Sequence, residues 1–411
     1  MKLIHTADLH IGKIVNEFSM LRDQEYMLQQ IVAIVIEEKA DGLLIAGDIY
    51  DRSIPPAEAV AVLDLFLTAL IKENIPVMMI SGNHDSPERI GFASEILEKK
   101  GLYIAGPYMA DTKKVTMEDE YGKLNVYLLP FAKPPVVRYM LEGKGGQTVS
   151  TYEDSVRESI KRMELEHEER NVLVTHHFVT NAGTSPELSG AETGIMVGGV
   201  DNVDASVFDN FDYVALGHIH RPQMTKRESI RYAGSPLKYS FSECLHHKSV
   251  SVIEIKEKGC IKISTREIKP LHDMRKIKGS LKELMKEEIY SQGNTNDYIH
   301  ATLTDKEELI DPIGTLRSVY RNVMQLVLEK NIRNDQEMTQ SISDIKHKST
   351  LDIYQEFYEG VTTNEFDERR RNIIAKVIEE VEGAVMGSET NKREETPVLA
   401  TDISMEGGNC L

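Results

Sequence analysis

The sequence predicts a layered α/β protein with more than one domain. Its 411 residues exceed the ~250–300 at which a single hydrophobic core stops growing, so two or three domains are expected. Short β-rich runs alternate with helical stretches up to about residue 270, which is typical of sheets covered by helices. With 41% hydrophobic and 28% charged residues, the composition excludes a wholly disordered or fibrous chain.

The first region contains eight β-rich predictions and four helical ones. The strands are predicted at residues 2–6, 42–46, 77–81, 123–129, 171–175, 212–216 and 230–233, with a hairpin over 249–267. The helices are predicted at residues 22–39, 56–73, 87–100 and 152–168. Ser86 as N-cap, Pro87 at the first helical position and Gly101 just past the end mark the third helix.

A smaller α/β unit is expected after residue 270. It contains predicted helices at 280–288 and 312–320 and predicted strands at 298–304 and 323–330. Two amphipathic helices follow, with apolar faces formed by Leu351, Tyr354, Tyr358 and Val361, and by Ile374, Val377, Val381 and Val385. We therefore expect four parts: a domain over 1–270, a capping, DNA-binding domain over 271–340, C-terminal helices over 341–386, and a disordered acidic tail over 387–411.

Charge and cysteine content narrow the class of protein. The net charge of −18 argues at first sight against binding of nucleic acid. The segment from Arg221 to Lys248, however, contains six basic residues and only two acidic ones.

The longest apolar runs, such as residues 31–36, are too short to cross a membrane, and no signal peptide is evident. Three scattered cysteines, Cys244, Cys260 and Cys410, exclude a disulfide framework or zinc cluster. A cytoplasmic location is expected.

Five predicted strands end in residues that bind metals. The motifs are Asp8-Leu9-His10, Gly47-Asp48, Gly82-Asn83-His84-Asp85, His176-His177 and Gly217-His218-Ile219-His220. Open α/β sheets place ligands outside the carboxyl ends of their strands, so these loops can converge although 210 residues separate the first from the last. A single histidine at a strand end more often bonds to backbone, but six of the 13 histidines lie in these loops. The order and position of the motifs therefore favour a metal centre.

The donor types indicate which metals suit this centre. Carboxylate, imidazole and amide donors without thiolate fit manganese, magnesium, iron or zinc in open sites. Seven donors are too many for one ion, and Asp48 is placed to bridge two ions ~3.5–4 Å apart. The glycines before Asp48, Asn83 and His218 allow sharp turns and a close approach to the ions.

These ordered motifs resemble those of the calcineurin-like metallophosphoesterases. Within that superfamily the chain is similar to the SbcD family of bacterial nuclease subunits, which is related to double-strand-break repair nucleases. The similarity covers roughly residues 1–360 and is most specific in the first 240. The stretches that carry it are His5-Thr6-Ala7-Asp8-Leu9-His10-Ile11-Gly12, Gly47-Asp48-Ile49-Tyr50-Asp51-Arg52-Ser53-Ile54-Pro55-Pro56, Gly82-Asn83-His84-Asp85-Ser86-Pro87-Glu88-Arg89, Ala215-Leu216-Gly217-His218-Ile219-His220-Arg221 and Tyr232-Ala233-Gly234-Ser235-Pro236.

The resemblance implies a fold and a set of ligands. The fold is a two-sheet sandwich flanked by helices, with a dinuclear centre at one edge. One ion is held by Asp8, His10, Asp48 and His220, and the other by Asp48, Asn83, His176 and His218. His176 is preferred to His177 because it directly follows its strand. His84 is left as the catalytic imidazole beside the leaving group, and its neighbour Asp85 either orients it or caps the loop.

The same resemblance implies an activity and partners. The activity is exonucleolytic cleavage of DNA ends and endonucleolytic cleavage of hairpins or single strands, with two Mn²⁺ ions preferred and Mg²⁺ as the alternative. No Gly-x-x-x-x-Gly-Lys-Ser/Thr motif occurs, so ATP use requires a partner. The partner implied is an SbcC-like, SMC-type coiled-coil ATPase on the C-terminal helices, with the chain a homodimer within a heterotetramer.

Several alternatives stay open at this level. One alternative is a phosphoprotein or cyclic-nucleotide phosphatase of the same fold. It is disfavoured because the chain has about 140 additional C-terminal residues, which an enzyme for small substrates does not need. A DNA-end-binding scaffold without catalysis is disfavoured because no ligand position is lost. The C-terminal helices are alternatively an intramolecular lid. Helix 56–73 is apolar on more than one side, as in a dimer interface or a fully buried helix.

Overall fold

Strands alternate with helices in the computed structural model, which describes residues 1–142, 149–190, 202–329, 351, 354, 355, 358 and 366–378. The strands are Lys2–Thr6 (β1), Ile14–Val15 (β2), Phe18–Ser19 (β3), Gly42–Ala46 (β4), Val77–Ile80 (β5), Leu102–Ala105 (β6), Lys113–Asp119 (β7), Gly122–Leu129 (β8), Arg170–Thr175 (β9), Phe178–Thr180 (β10), Asn202–Asp204 (β11), Tyr213–Leu216 (β12), Gln223–Met224 (β13), Ile230–Tyr232 (β14), Ser249–Ile255 (β15), Ile261–Glu267 (β16), Met274–Gly279 (β17), Tyr298–Leu303 (β18) and Asn322–Leu328 (β19).

The helices lie between these strands. They are Leu21–Glu37 (α1), Ala57–Lys72 (α2), Pro87–Ile90 (α3), Ser94–Glu98 (α4), Pro134–Leu141 (α5), Tyr152–Lys161 (α6), Leu281–Leu284 (α7), Glu287–Tyr290 (α8) and Pro312–Arg317 (α9). Short 3₁₀ helices form at Ala205–Phe208 and Phe241–Glu243. The chain divides into two units, Met1–Glu329 and Lys330–Leu411.

Two six-stranded sheets form among the described residues of the first unit. The first has the order β16-β15-β1-β4-β5-β6, and the second β13-β14-β12-β9-β8-β7. Strands β1, β4, β5 and β6 are parallel to one another, as are β14, β12, β9 and β8. The antiparallel strands lie toward the edges, so the parallel strands of each sheet end side by side.

The sheets pack face to face, and helices cover their outer faces. Leu3, Leu44 and Met78 of the first sheet share an apolar cluster with Val126 and Val172 of the second. The alternate residues of the first sheet pack with α1 and α2, because a strand points successive side chains to opposite faces. Strands buried on both faces read as nearly continuous apolar runs. The predicted two-sheet sandwich flanked by helices is confirmed.

The helix predicted at 312–320 ends at Arg317. Three other predicted helices are divided or shortened beside a residue with a non-helical backbone. The helix predicted at 87–100 is divided into α3 and α4, because Ala93 adopts a left-handed φ of 59°. The helix predicted at 152–168 starts with a Thr151 capping box but ends at Lys161, shortly before Glu164 with φ 44°. The helix predicted at 280–288 becomes α7 and α8, separated by an extended Lys286. In two of these cases the non-helical residue separates two short helices, and in the third it follows the end of α6.

A third sheet follows the sandwich. Strands β17, β18 and β19 are parallel, and α7 and α9 pack on them around Leu316 and Tyr320. Strand β17 was not predicted from the sequence. The domain division at residues 270, 340 and 386 stays a prediction.

The second unit is described in part. Residues 368–378 are helical, and Tyr354 and Tyr358 lie with their ring centroids 5.9 and 5.4 Å from that of Phe366. Val361, Val381, Val385 and the predicted tail lie outside the described residues. Among the described helices none is long and apolar enough to cross a membrane.

Candidate metal centre

All seven predicted ligands lie in loops that follow parallel strands. Asp8 and His10 follow β1, Asp48 follows β4, and Asn83 follows β5 in the first sheet. His176 follows β9, and His218 and His220 follow β12 in the second. Because these strands are parallel within each sheet and the sheets are stacked, their carboxyl ends meet at one edge of the sandwich.

The backbone at this edge is held in an unfavourable conformation. Asp8, His10, Asp48 and His218 have φ of 55°, 45°, 50° and 96°. For a non-glycine residue each such conformation costs on the order of 1–3 kcal/mol and persists only where the surroundings enforce it. The amides of Asp8 and His10 donate to the carbonyls of Gly47 and Asp48 at 3.1 and 3.0 Å. The fold therefore holds these residues in an unfavourable backbone conformation, and this conformation places their side chains at the site.

Glycines permit the loops to approach one another. Gly47 has a φ of 87°, and a Cβ there would overlap the His176 ring. A Cβ at Gly217 would overlap the Ala46 carbonyl. The predicted sharp turn thus occurs at Gly47, whereas Gly217 is required for close packing between the sheets.

One group of donors lies around His10. Its Nε2 is 3.1 Å from Nε2 of His220 and 3.7 Å from Oδ2 of Asp48. Asp8, His10 and His220 offer ligand atoms that all lie within 4.8 Å of one another. The amide of His218 donates to both carboxylate oxygens of Asp8, at 2.9 and 3.1 Å, and so holds that carboxylate in place.

A second group of donors lies around Asn83. Its Oδ1 is 3.0 Å from Nε2 of His176 and 2.9 Å from Nδ1 of His218. His176 Nε2 also lies 3.3 Å from Oδ2 of Asp48. At its other nitrogen, Nδ1, His176 donates to the Ala46 carbonyl at 2.7 Å.

Asp48 lies between the two groups. Its Oδ1 accepts a hydrogen bond from the His84 amide at 2.9 Å. Its Oδ2 faces both His10 and His176. A single carboxylate oxygen thus contacts both groups of donors, as a bridging ligand requires.

Burial and mutual charge shift the pKa values at this edge. Burial raises the pKa of Asp8 to about 6 and lowers the pKa of His218 to about 3. Burial also disfavours the imidazolium of His176, but the Asp48 carboxylate outweighs it and raises that pKa to about 9. The buried carboxylates therefore draw positive charge onto a neighbouring imidazole.

The residues fit divalent metal ions. Two ligands at ~2.0–2.2 Å from one ion are themselves about 3.0–3.5 Å apart. The donor-to-donor distances given above for His10, Asn83 and His176 run from 2.9 to 3.7 Å, and the ligand atoms of Asp8, His10 and His220 lie within 4.8 Å of one another. Buried carboxylates, imidazoles and an amide oxygen supply the charge and the lone pairs that such ions need.

His84 lies beside the donors but is held differently. It donates from Nδ1 to the Asp51 carbonyl at 3.0 Å, and its ring centroid is 4.9 Å from that of His10. It is half buried, whereas His10 and His176 are buried. Its neighbour Asp85 accepts from the amides of Ile49, Tyr50 and Gly82 at 3.1, 2.9 and 2.8 Å. These bonds make Asp85 a loop cap.

The adjacent histidines 176 and 177 face different surroundings. His177 Nδ1 lies 2.8 Å from Thr175 Oγ1, and the His177 ring centroid is 5.5 Å from that of Phe131. His176 instead faces Asp48 and Asn83.

Sequence reasoning missed several side chains behind the donors. Gln24 on α1 donates to the His10 carbonyl at 2.7 Å and accepts from the Gly12 amide at 2.9 Å. Glu243 and Lys248 lie behind His220. These residues stand 14 to 28 positions from the ligands that they contact, and no spacing pattern links them in the sequence.

The family match with known proteins covers the part of the chain that contains all seven donors. The model of the calcineurin-like phosphoesterase family matches residues 1–222. That of the type 5 capsule protein repressor C-terminal domain matches residues 270–362. The chain is 33% identical over 367 residues to the SbcD subunit of nuclease SbcCD from Staphylococcus epidermidis, and the match covers 88% of this chain and 94% of that protein.

Two solved structures are also similar. TT1561 of Thermus thermophilus is 12% identical with a TM-score of 0.39, over 65% of this chain and 99% of that one. A dimetal phosphatase from Danio rerio is 13% identical with a TM-score of 0.38, over 66% of this chain and 96% of that one. The sequence matches and the converging donors together identify a dinuclear, divalent-metal-dependent hydrolase. The chain belongs to the calcineurin-like phosphoesterases and, within them, to the family of SbcD nuclease subunits.

Proposed function

We propose that this chain is a manganese-dependent DNA nuclease subunit. Its activities are exonucleolytic on duplex ends and endonucleolytic on hairpin or single-stranded DNA. The observation that carries the proposal is the position of Asp48, whose Oδ2 lies 3.7 Å from His10 and 3.3 Å from His176. The 33% identity to an SbcD nuclease subunit supports DNA as the substrate.

The ligand sets follow the two groups of donors. Asp8, His10, Asp48 and His220 hold one ion, and Asp48, Asn83, His176 and His218 hold the other. The distance of His176 from Asp48 and Asn83 favours His176 over His177. Oxygen and imidazole donors favour manganese, with magnesium as the alternative.

The chain's own residues position the reacting groups. Two bound ions supply a more acidic water and neutralise the charge that develops on the phosphate. His84 is fixed through Nδ1 to the Asp51 carbonyl, which leaves Nε2 to exchange a proton with the departing oxygen. Asp85 fixes the loop that carries His84, so the imidazole is held beside the donors, with a ring nitrogen within 4.8 Å of the ligand atoms of His10 and Asp48.

A partner and a second copy complete the proposal. The relative's name places it in an SbcCD complex, and we propose an SbcC-like, SMC-type ATPase that binds DNA with this chain and docks on the C-terminal helices. Helix α2 leaves Val60 and Leu65 46% and 62% exposed beside an apolar groove of about 330 Å³. This second apolar face supports a homodimer within a heterotetramer. The cytoplasmic location stays a prediction.

The experiment compares substrates with the full chain. Purified protein with Mn²⁺ is assayed on hairpin DNA, on linear duplex, on a chromogenic phosphodiester and on a chromogenic phosphomonoester. We expect DNA and the diester to be cleaved and the monoester to be poor. Preference for the monoester favours the phosphatase alternative, and DNA binding without cleavage, with or without the ATPase, favours the scaffold.

A further inference from the structure

A buried ion pair lies behind His220. Glu243 is 0% exposed and Lys248 is 5% exposed, and Lys248 Nζ is 2.5 Å from Glu243 Oε2. Glu243 ends the 3₁₀ helix Phe241–Glu243, and Lys248 directly precedes β15. Removing two charges from water is costly unless further polar contacts satisfy them. The remaining contacts of this pair lead to His220.

The backbone carbonyl of His220 accepts two hydrogen bonds, one from Lys248 of this pair and one from Ser235. Lys248 Nζ donates to the His220 carbonyl at 2.9 Å and to Ser235 Oγ at 2.8 Å. The amide of Ser235 donates to the same carbonyl at 3.2 Å. Gly234, with φ 76°, lies so close that a Cβ would be 2.8 Å from that oxygen. The motif Gly234-Ser235-Pro236 therefore packs against the ligand loop.

The ring of His220 faces the same pair. Glu243 Oε1 lies 3.6 Å from Nδ1 of His220. At this distance the carboxylate acts through its charge rather than through a formed hydrogen bond. A negative charge beside Nδ1 favours a proton on that nitrogen and leaves the lone pair on Nε2. Nε2 is the atom that lies 3.1 Å from His10 Nε2.

His176, in the other group of donors, is supported by a neutral group instead. Its Nδ1 bonds to the carbonyl of Ala46 at 2.7 Å. The two proposed ion positions thus differ in the group at Nδ1 of one of their histidines, which is a carboxylate for His220 and a neutral carbonyl for His176. A carboxylate makes an imidazole a stronger ligand than a carbonyl does.

We propose that Ser235, Glu243 and Lys248, which we call the His220 clamp, form a positioning unit that directs His220 Nε2 toward the donors and strengthens one ion position. The inference rests on the ligand role proposed for His220. It assigns to the Gly234-Ser235-Pro236 motif and to the buried ion pair a role in metal affinity. These are positioning residues, because they act through His220.

The test measures Mn²⁺ binding by the full chain. Isothermal titration and electron paramagnetic resonance count the ions and give their affinities. Glu243→Gln keeps the side-chain shape but removes the charge, so we expect one ion to bind about 10–100-fold more weakly and the other to be unchanged. Ser189→Ala is the matched control, because Ser189 Oγ lies 3.5 Å from the same Glu243 oxygen; both ions should bind as in the wild type.

A paired variant separates positioning from folding. Glu243→Gln leaves Lys248 buried without its counter-charge, whereas Glu243→Gln with Lys248→Met removes both charges and should fold. We expect the same selective loss in the paired variant, with a changed visible spectrum when Co²⁺ replaces Mn²⁺. Binding of two ions with wild-type affinity in both variants would contradict the proposed role of the clamp. Loss of both ions together with the circular dichroism signal of the folded protein would contradict it as well. If the wild type itself binds fewer than two ions, the dinuclear assignment fails and the clamp fails with it.

Discussion

At the scale of single residues, the centre depends on one carboxylate and on a strained backbone. Asp48 has a left-handed φ of 50°, and its Oδ2 faces histidines from both sheets. Its Oδ1 accepts the His84 amide while its Oδ2 faces both histidines, so the site uses both carboxylate oxygens. The side chain and its conformation are therefore both specific requirements of the site.

Asp48→Asn should abolish cleavage without unfolding the protein. An amide nitrogen cannot donate lone pairs to a cation, so one or both Mn²⁺ ions should be lost and turnover should fall more than ~100-fold. Turnover on hairpin DNA and bound manganese by elemental analysis provide the measurement. Asp64→Asn, the same change on the exposed side of α2, is the control. Near wild-type turnover in Asp48→Asn would contradict the bridging role.

His84→Ala should separate proton transfer from metal binding. The imidazole is bound through Nδ1 to a backbone carbonyl and belongs to neither proposed ligand set. We expect two manganese ions per chain, intact DNA binding, and turnover reduced by ~10²–10⁴-fold, as for a positioned acid–base group. His167→Ala, at an exposed histidine, is the control. Loss of an ion in His84→Ala would make His84 a ligand instead.

At the scale of elements, the two sheets are joined at the strand ends remote from the centre. Arg170, at the start of β9, is 1% exposed and donates to the carbonyls of Ile255 and Lys256 at 3.2 and 3.0 Å. It also donates to both carboxylate oxygens of Asp119 at 2.6 and 3.2 Å. Asp119 ends β7 of the second sheet, and Ile255 ends β15 of the first. One buried guanidinium thus links β9 and β7 to β15.

Asp119→Asn should reduce stability in a pH-dependent way. Hydrogen bonds from Arg170 hold the pKa of Asp119 below its ordinary 3.8, so the carboxylate stabilises the folded state above that pH and loses the contribution as pH falls through the folded pKa. We expect a loss of about 1–3 kcal/mol at neutral pH. Urea unfolding from about pH 7 to pH 3 should show the difference from wild type shrinking below the ordinary pKa. Glu120→Gln, at the exposed neighbour, should show no such trend.

At the scale of the whole molecule, the described residues include apolar side chains that remain exposed to solvent. On α2, Leu63, Phe66 and Leu70 are buried against the sheet, whereas Val60 and Leu65 are exposed. In the second unit, Ile373 and Val377 on helix 368–378 are 54% and 49% exposed. Exposed apolar faces of this kind suit partner binding. The face on α2 is the one proposed for a second copy, and the face on helix 368–378 is the one proposed for the ATPase.

Truncation after Lys348 should release the ATPase but spare metal-dependent cleavage. It removes both predicted amphipathic helices while leaving the unit Met1–Glu329 complete. We expect the truncated chain to lose the SbcC-like partner in a pull-down and to keep manganese-dependent activity on single strands. Truncation after Gly387 removes only the predicted tail and is the control. Retention of the partner after truncation at Lys348 would place the docking site elsewhere.

The sequence alone predicted most strands of the sandwich and the loops that carry the donors. The two-sheet sandwich itself was implied by the resemblance to a known family, and the order of the strands came only from the structure. Strands such as β1 and β4 were predicted to the residue, because buried strands are continuous apolar runs bounded by glycine and charged residues. The donors were recognisable because each lies within four residues of the end of such a strand. Their type and position are local properties, and local properties can be read from one stretch of sequence.

Only the tertiary structure decided which side chains support the donors and where helices end. Helical periodicity in the sequence continues through Ala93 and Glu164. In the structure the left-handed backbone of Ala93 separates α3 from α4, and that of Glu164 follows the end of α6. Glu243 and Lys248 are ordinary charged residues in the sequence, yet the fold buries them behind His220. The physical reason is that burial and contact between distant segments depend on how both sheets pack, and that packing leaves no periodic signal in the chain.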